Sequence, residues 1–398
     1  MAFADAYLDK HSSGKVHIER LPDPKLQTIV IIPAYNESGL LRCLDSLFKC
    51  HSPIHPVEIN VLVNTPSNAP ENIQSANDQV FTEVTTWMSA NNSKFVHFHG
   101  YRLNDLPPKH FGAGLARKIL MDEAVRRFNT IDRPEGIIVS LDADCTVSEN
   151  YLLGIEQHFD MFKEASGCSI DFSHPRHGDE YPGEVYKAIT NYENHLNYYL
   201  EAIRFTGYPY AFHTVGSAFA VRAASYCQVG GMSRRQAGED FYFIQKLAML
   251  GRFSECHTAT VYPSPRPSDR VPFGTGPEIR KQLDSRSGQY MSYHPELFLH
   301  LSSFYKLIPS FYSEKKCEPL LIQLPGLIQQ YLDETGFPET LDEIKTNVAS
   351  SGSFSKRFYQ KFNMFWILKY LHYAEEHGTE RMEVNEAARK LKSLIDNK

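Results

Sequence analysis

Two carboxylates one residue apart, Asp142 and Asp144, follow directly on the apolar run Gly136 to Leu141 (GIIVSL). Anions held that close at the end of a buried strand repel each other unless a cation neutralises them. Strand alternation aims both to the same side, where oxygen ligands suit Mg²⁺ or Mn²⁺ bridging a diphosphate. The competing use of such a string is an Asp-rich turn that caps the next helix. A second acidic pair, Glu239-Asp240, follows Val229-Gly230-Gly231-Met232 and opens the apolar segment Phe241 to Leu250. Carboxylates at that point either accept protons in a reaction or complement a helix dipole.

The elements around these residues alternate. Thr28 to Pro33 (TIVIIP) is a β-branched run too short for a helix, which suits a strand buried on both faces of a parallel sheet. Gly39 to Cys50 sets Leu40, Leu41, Leu44, Leu47 and Phe48 at helical spacing, and Glu58 to Val63 reads as the next strand. A strand near Lys94 to Phe98, a helix near Leu115 to Phe128 and the strand Gly136 to Leu141 continue the pattern. The expected fold class is therefore α/β, a doubly wound, mostly parallel sheet flanked by helices, with ligands bound beyond the carboxyl ends of its strands.

Further on, Glu184 to Phe205 is an amphipathic helix, Pro263 to Pro277 a loop rich in Pro, Ser, Arg and Gly, and Pro295 to Lys398 offers only helical patterns. The expected division is an N-terminal extension over 1–26, a ligand-binding domain over 27–285 and a helical appendage over 286–398, with the change near Ser285 to Tyr293. A chain of 398 residues that is 42% hydrophobic is long enough for a full core and an appendage. The formal charge of -6 provides no overall basic field for nucleic acid, so phosphate must be met locally. Seven scattered cysteines without a CxxC pair fit neither a disulfide framework nor a zinc site, and a reducing cytoplasm is the expected home. No stretch of eighteen apolar residues appears. The aromatic and basic residues of 355–378 (Lys356, Arg357, Lys361 and Lys369 with Phe358, Phe362, Phe365 and Trp366) permit peripheral contact with the inner face of a membrane, although core packing also uses such aromatics.

Read together, IIPAYNE at Ile31 to Glu37, GxGxAR from Gly112 to Arg117, LDAD at Leu141 to Asp144, and a Gly-Gly pair followed by GED at Gly238 to Asp240 resemble family 2 glycosyltransferases of the GT-A fold, of bacterial type. The resemblance covers roughly residues 27 to 260. It implies inverting, single-displacement transfer from a nucleotide-diphosphate sugar, a UDP-sugar by preference, to a hydroxyl of a glycan or glycolipid. Under it, Pro33, Ala34, Tyr35 and Glu37 receive the base and ribose, with Asn64 at the end of the next strand. Arg117 orients the base or the acidic pair, Asp142 faces ribose or metal, and Asp144 binds Mn²⁺ or Mg²⁺. Asp240, beside Glu239, matches the general base.

The sequence departs from the family where a histidine ligand often follows the strand after the GED helix: here it reads Val261-Tyr262-Pro263, with His257 six residues before Pro263. In the loop Pro263 to Gly276, Arg266, Asp269 and Arg270 suit either a lid reaching the diphosphate or a plain surface connection. Aromatic and amide side chains between Tyr181 and His213, including Tyr192, Asn194, Asn197, Tyr198, Tyr208 and Tyr210, are acceptor-site candidates or core. A rival reading is a catalytically inactive nucleotide-binding scaffold. A dehydrogenase fits poorly, because Gly112-x-Gly114-x-x-Arg117 lacks the third glycine and no strand leads into it.

Overall fold

The computed structural model describes residues 2–91, 93–236, 238–268, 274–285 and 288–397. The chain divides into two compact units, Met1–Tyr186 with Thr214–Glu278, and Lys187–His213 with Ile279–Lys398.

The first unit opens with α1 (Asp5–His11), β1 (Thr28–Ala34), α2 (Leu40–Phe48), β2 (Val57–Pro66), α3 (Glu71–Ala90) and β3 (Val96–Leu106). It continues with α4 (Ala113–Thr130), β4 (Ile137–Ser140), β5 (Thr146–Val147), α5 (Tyr151–Met161) and β6 (Gly167–Phe172). After α6 (Gly183–Thr206), most of which belongs to the second unit, come β7 (Phe219–Arg222), α7 (Ala223–Gln228), α8 (Glu239–Ala248) and β8 (Phe253–Tyr262). The strands form one eight-stranded sheet in the order β3-β2-β1-β4-β7-β6-β8-β5. The β3-β2-β1-β4 half is parallel throughout, whereas β7 runs against both β4 and β6, and β5 runs against β8. This mixed, mostly parallel sheet flanked by helices is an α/β fold.

Burial explains the sequence pattern. Six of the seven residues of β1 and all ten of β2 are buried, so these strands read as continuous apolar runs instead of alternating ones. In register, Ile31 lies beside Asn60 and Ser140, which brings the ends of β1, β2 and β4 to one edge of the sheet.

The central helix α4 is buried on most of its circumference, including its charged residues Arg117, Lys118, Asp122, Glu123 and Arg127. Each finds a partner. Lys118 Nζ donates to Asp122 Oδ2 at 2.8 Å, and Arg126 pairs with Glu123. Arg127 makes a two-pronged bond to Glu58 on β2, and its Nη1 also donates to Arg20 O at 2.8 Å. The N-terminal segment is stapled to the same helix: Tyr7 donates to Asp122 Oδ1 at 2.8 Å, and the Ile18 amide donates to Glu123 Oε1 at 3.2 Å. Burial and the adjacent Arg127 push the pKa of His99 down to about 4, so it stands beside Glu58 uncharged.

The second unit has α9 (Thr275–Ser285), a short pairing of β9 (Met291–Ser292) with β10 (Met382–Glu383), and the helices α10 (Pro295–Lys306), α11 (Ile308–Ser313), α12 (Glu318–Leu321), α13 (Gly326–Glu334), α14 (Phe337–Thr346), α15 (Ser351–Lys361), α16 (Met364–Glu376) and α17 (Val384–Asp396). Its core is aromatic. Phe304 packs at 5.6 Å from Phe358, 5.7 Å from Phe362 and 5.1 Å from Trp366. Three of the four aromatics considered above for membrane contact thus face inward, and only Phe365 is exposed, with Lys369 over its ring. No helix among the described residues is long and apolar enough to cross a membrane.

Removing one partner of the buried Arg127–Glu58 pair strands the other charge. Glu58→Leu is expected to lower stability by about 3–5 kcal/mol in urea denaturation. The double variant Glu58→Leu/Arg127→Met should recover a large part of that loss. Equal loss in both would show that the pair contributes through packing alone.

Candidate active site

The carboxyl ends of β1, β2 and β4 converge on the acidic corner. Leu141, Ala143 and Cys145 are buried while Asp142 and Asp144 stay partly exposed, so strand alternation carries past the end of β4 and turns both carboxylates outward. The chain then tightens, with the Cys145 amide donating to Asp142 O at 3.1 Å.

A buried guanidinium joins the two acidic pairs. Arg117, in the first turns of α4, donates through Nη2 to Asp142 Oδ1 at 2.6 Å and through Nη1 to Glu239 Oε1. Glycine permits this meeting. A Cβ on Gly114 would stand 2.2 Å from Arg235 O, and one on Gly112 would stand 2.8 Å from Gln236 O. The GxG of the sequence thus lets the segment before α8 lie against the start of α4 and present Glu239 to Arg117. Gly216 closes the other side: its Cβ would fall 2.7 Å from both Arg117 Nη2 and Asp240 Oδ2. Its carbonyl is fixed by Ser140 Oγ at 2.7 Å.

Electrostatics follow from this crowding. Burial opposes the charge on Arg117, but Asp142, Glu239 and Asp240 outweigh it and hold the pKa above that of an ordinary arginine. Burial raises the pKa of both Glu239 and Asp240, with Arg117 opposing the rise in each. Asp240 Oδ1 accepts from the Phe241 amide at 2.8 Å, and the residue is only half-buried, unlike Glu239. Of the two, Asp240 keeps access to solvent and Glu239 holds the arginine.

The loop after β1 forms the adjoining wall. Pro33 is half-buried and Ala34 buried at the end of the strand, while Tyr35 meets the edge of Phe111 with ring centroids 4.8 Å apart. Asn36 adopts a left-handed conformation, φ 48°, which asparagine tolerates better than most residues. Its amide donates to Asn77 Oδ1 at 2.8 Å, and Asn77 Nδ2 donates to Thr65 Oγ1 at 2.8 Å, clasping this loop to the end of β2. Asn64, beside Thr65, is buried, and its Oδ1 has no hydrogen-bond partner among the described residues. Glu37 is also buried; it accepts from the Gly39 amide at 2.9 Å and is gripped by both terminal nitrogens of Arg266. Asp144 acts on Arg266 electrostatically as well, so this guanidinium lies between the β1 loop and the acidic corner.

Of the residues singled out in the sequence, the structure thus brings together Asp142, Arg117, Glu239 and Asp240, and joins Glu37 with Arg266. Asp269 and Arg270 lie outside the described residues. His257 is exposed and bonded to Asp171 at 3.0 Å, five positions before the end of β8. The acceptor candidates Tyr192, Asn194, Asn197, Tyr198, Tyr208 and Tyr210 belong to the second unit, where Tyr198 donates to Tyr293 O at 2.7 Å and Tyr208 lies against Tyr305. Gly216 and Asn77 carry no sequence motif; a lone Gly and an Asn inside a polar helix give no signal of their own.

A divalent cation suits this donor set. Five carboxylates, Glu37, Asp142, Asp144, Glu239 and Asp240, face two guanidinium groups, Arg117 and Arg266, which leaves a formal excess of negative charge. Among the described residues no three side chains of His, Cys, Asp or Glu converge as a complete metal cage. Asp142 and Asp144 offer the one or two carboxylates that Mg²⁺ takes from protein when phosphate oxygens and water complete its shell.

No protein-family model and no curated protein match the chain. Among solved structures it is similar to S. aureus TarS 1-349 in complex with UDP-GlcNAc, with a TM-score of 0.43 and 15% identity over 77% of this chain and 84% of that one. The same protein in complex with UDP gives a TM-score of 0.42 and 14% identity over 94% and 92% of the two chains. Similarity this distant transfers no residue role.

Arg117→Met leaves Glu239 buried without its cation, so stability should drop by about 3–5 kcal/mol near neutral pH. The sign of its pH dependence is set by Glu239. Burial already raises that folded-state pKa, and losing the arginine raises it further. The folded state then binds a proton more readily than the unfolded one, so stability falls as pH rises past the ordinary glutamate value of about 4.3. Urea denaturation of wild type and variant should show a deficit that widens from pH 5 to pH 8. A deficit flat with pH would move its origin away from Glu239.

Proposed function

We propose that this chain is an inverting glycosyltransferase that transfers a sugar from a UDP-sugar to a hydroxyl of a glycan or glycolipid acceptor. The observation that carries the reading is the meeting of Asp142 with the Glu239-Asp240 pair on one buried arginine, next to the loop clasped between β1 and β2. This arrangement sits at the carboxyl ends of the parallel strands, where doubly wound sheets bind ligands.

The site sorts into tasks. The β1 loop and Asn64 form the nucleotide wall, and the unpaired Asn64 Oδ1 suits an N–H of the base, whose desolvation it would offset. Asp142 and Asp144 would hold Mg²⁺ or Mn²⁺, which supplies positive charge to the departing diphosphate. Arg266 has a second use as a diphosphate ligand once it leaves Glu37, since a guanidinium pairs with phosphate as well as with carboxylate. Asp240 is the base. The acceptor oxygen bonds to the anomeric carbon from the face opposite the leaving group, and the carbon–oxygen bond to the diphosphate breaks with its electron pair. The hydroxyl proton passes to an Asp240 oxygen. An ordinary aspartate, with a pKa of about 3.9, is a weak base; burial strengthens it here, and Arg117 keeps it ionised.

Asp240→Asn should keep donor affinity by calorimetry while turnover falls by about 10²-fold or more. Asp144→Asn should instead abolish the thermal stabilisation that UDP confers in the presence of Mn²⁺. Full turnover in Asp240→Asn would remove the base from this reading. A UDP and Mn²⁺ response unchanged in Asp144→Asn would remove the metal corner.

A further inference from the structure

Within the first unit, a cavity of about 220 Å³ lies between the residues after α1, the end of β3 and the outer face of α4. Leu115, Lys118, Ile119, Asp122 and Arg126 line it, and these positions share one face of the helix. Arg117, one residue from Lys118, advances by about 100° and points away from that face, so α4 separates this cavity from the acidic corner. The segment from His11 to His17 closes it from outside. That segment is held by the stacking of His17 on Tyr101 at 4.9 Å and by the bond from the Ile18 amide to Glu123.

The wall has more donors to offer than acceptors. Asp122 is largely occupied: Oδ1 accepts from Tyr7 at 2.8 Å and Tyr226 at 2.9 Å, and Oδ2 accepts from Lys118. Glu123 accepts from the Ile18 amide and is paired with Arg126. By contrast, Lys118 has a third N–H beyond its bonds to Asp122 and Tyr7, and Arg126 Nη1 has no hydrogen-bond partner among the described residues. The Lys15 ammonium and the whole Arg234 guanidinium make no hydrogen bond or ion pair among the described residues, and both line the cavity. Asp105 is the one lining carboxylate not engaged in this way, and Leu103, Leu106, Leu115 and Ile119 supply apolar surface.

We propose that this cavity binds a phosphorylated small molecule of about monosaccharide size. Its phosphate is held by Lys15, Lys118 and Arg234, and a hydroxyl donates to Asp105. Oxygen-rich anions take several N–H donors at once, which this wall supplies, and a cavity below the usual ~300–1,000 Å³ of drug-sized sites selects a compact ligand. The site is independent of the donor site proposed above, because different side chains on the opposite face of α4 build it.

The test is calorimetric titration of the full chain with glucose 1-phosphate and with inorganic phosphate as probes. Lys15 and Arg234 are exposed, so Lys15→Ala/Arg234→Ala should fold as wild type does. The proposal expects saturable binding of glucose 1-phosphate that weakens at least tenfold in this double variant and is unchanged in Asp144→Asn. It is overturned if wild type binds neither probe or if the double variant binds as tightly as wild type. Loss of binding in Asp144→Asn would place the phosphate in the acidic corner instead. Inorganic phosphate binding as tightly as glucose 1-phosphate would reduce the cavity to an anion hole and overturn the assignment of ligand size.

Discussion

A buried arginine with carboxylates on two sides sets the geometry of the candidate active site. Arg117 has almost no access to water, so its charge is compensated only while Asp142 and Glu239 stay in place. The converse also holds: Glu239 is buried, and its ionised form depends on the arginine. Removing Arg117 leaves Glu239 an uncompensated charge in a poorly solvated place, which costs more than the pair contributes. This mutual dependence ties the end of β4 to the start of α8, elements far apart in the chain, and leaves Asp240 at a fixed place beside Gly216.

A second charged contact works on the adjoining wall. Arg266 and Glu37 hold the segment after β8 against the loop after β1, while the left-handed Asn36 and the clasp of Asn77 fix that loop to β2. Together the two arginines offset part of a strongly acidic pocket. The remainder of the negative charge is what a divalent cation would balance.

Helix α4 shows how one element serves several sites. It is buried nearly all round, yet it carries charges on more than one face, some paired within the helix and others, Arg117 and Arg127, matched by partners from distant parts of the chain. Arg117 faces the acidic corner, Arg127 reaches Glu58 on β2, and Lys118 with Asp122 meets the N-terminal segment. Buried charges at this density fix orientation as well as energy, because a helix rotated by one residue would take Arg117 and Arg127 away from their partners.

Local physics in the sequence determined the strands β1, β2 and β4, the helices α2, α4 and α8, and the position of Asp142 and Asp144 at a strand end. Runs such as TIVIIP and GIIVSL have only one way to bury every residue, and a polar pair directly after them must emerge at the edge. Other elements left weaker marks. α3 buries only Asn77, Val84 and Met88 over twenty residues, so its apolar stripe is faint, and β7 is four residues long. Only the tertiary structure decided the partners: Glu239 and Arg117 are 122 positions apart, and Glu37 and Arg266 are 229 apart. Such pairing depends on where the sheet order β1-β4-β7-β6-β8 delivers each chain end, not on any local periodicity. The same reason hid the role of Gly112 and Gly114 at the start of α4, which admit the backbone of residues 235 and 236. A side chain's type and spacing limit its chemistry, but its partner is chosen by the long-range packing that brings distant backbone within reach.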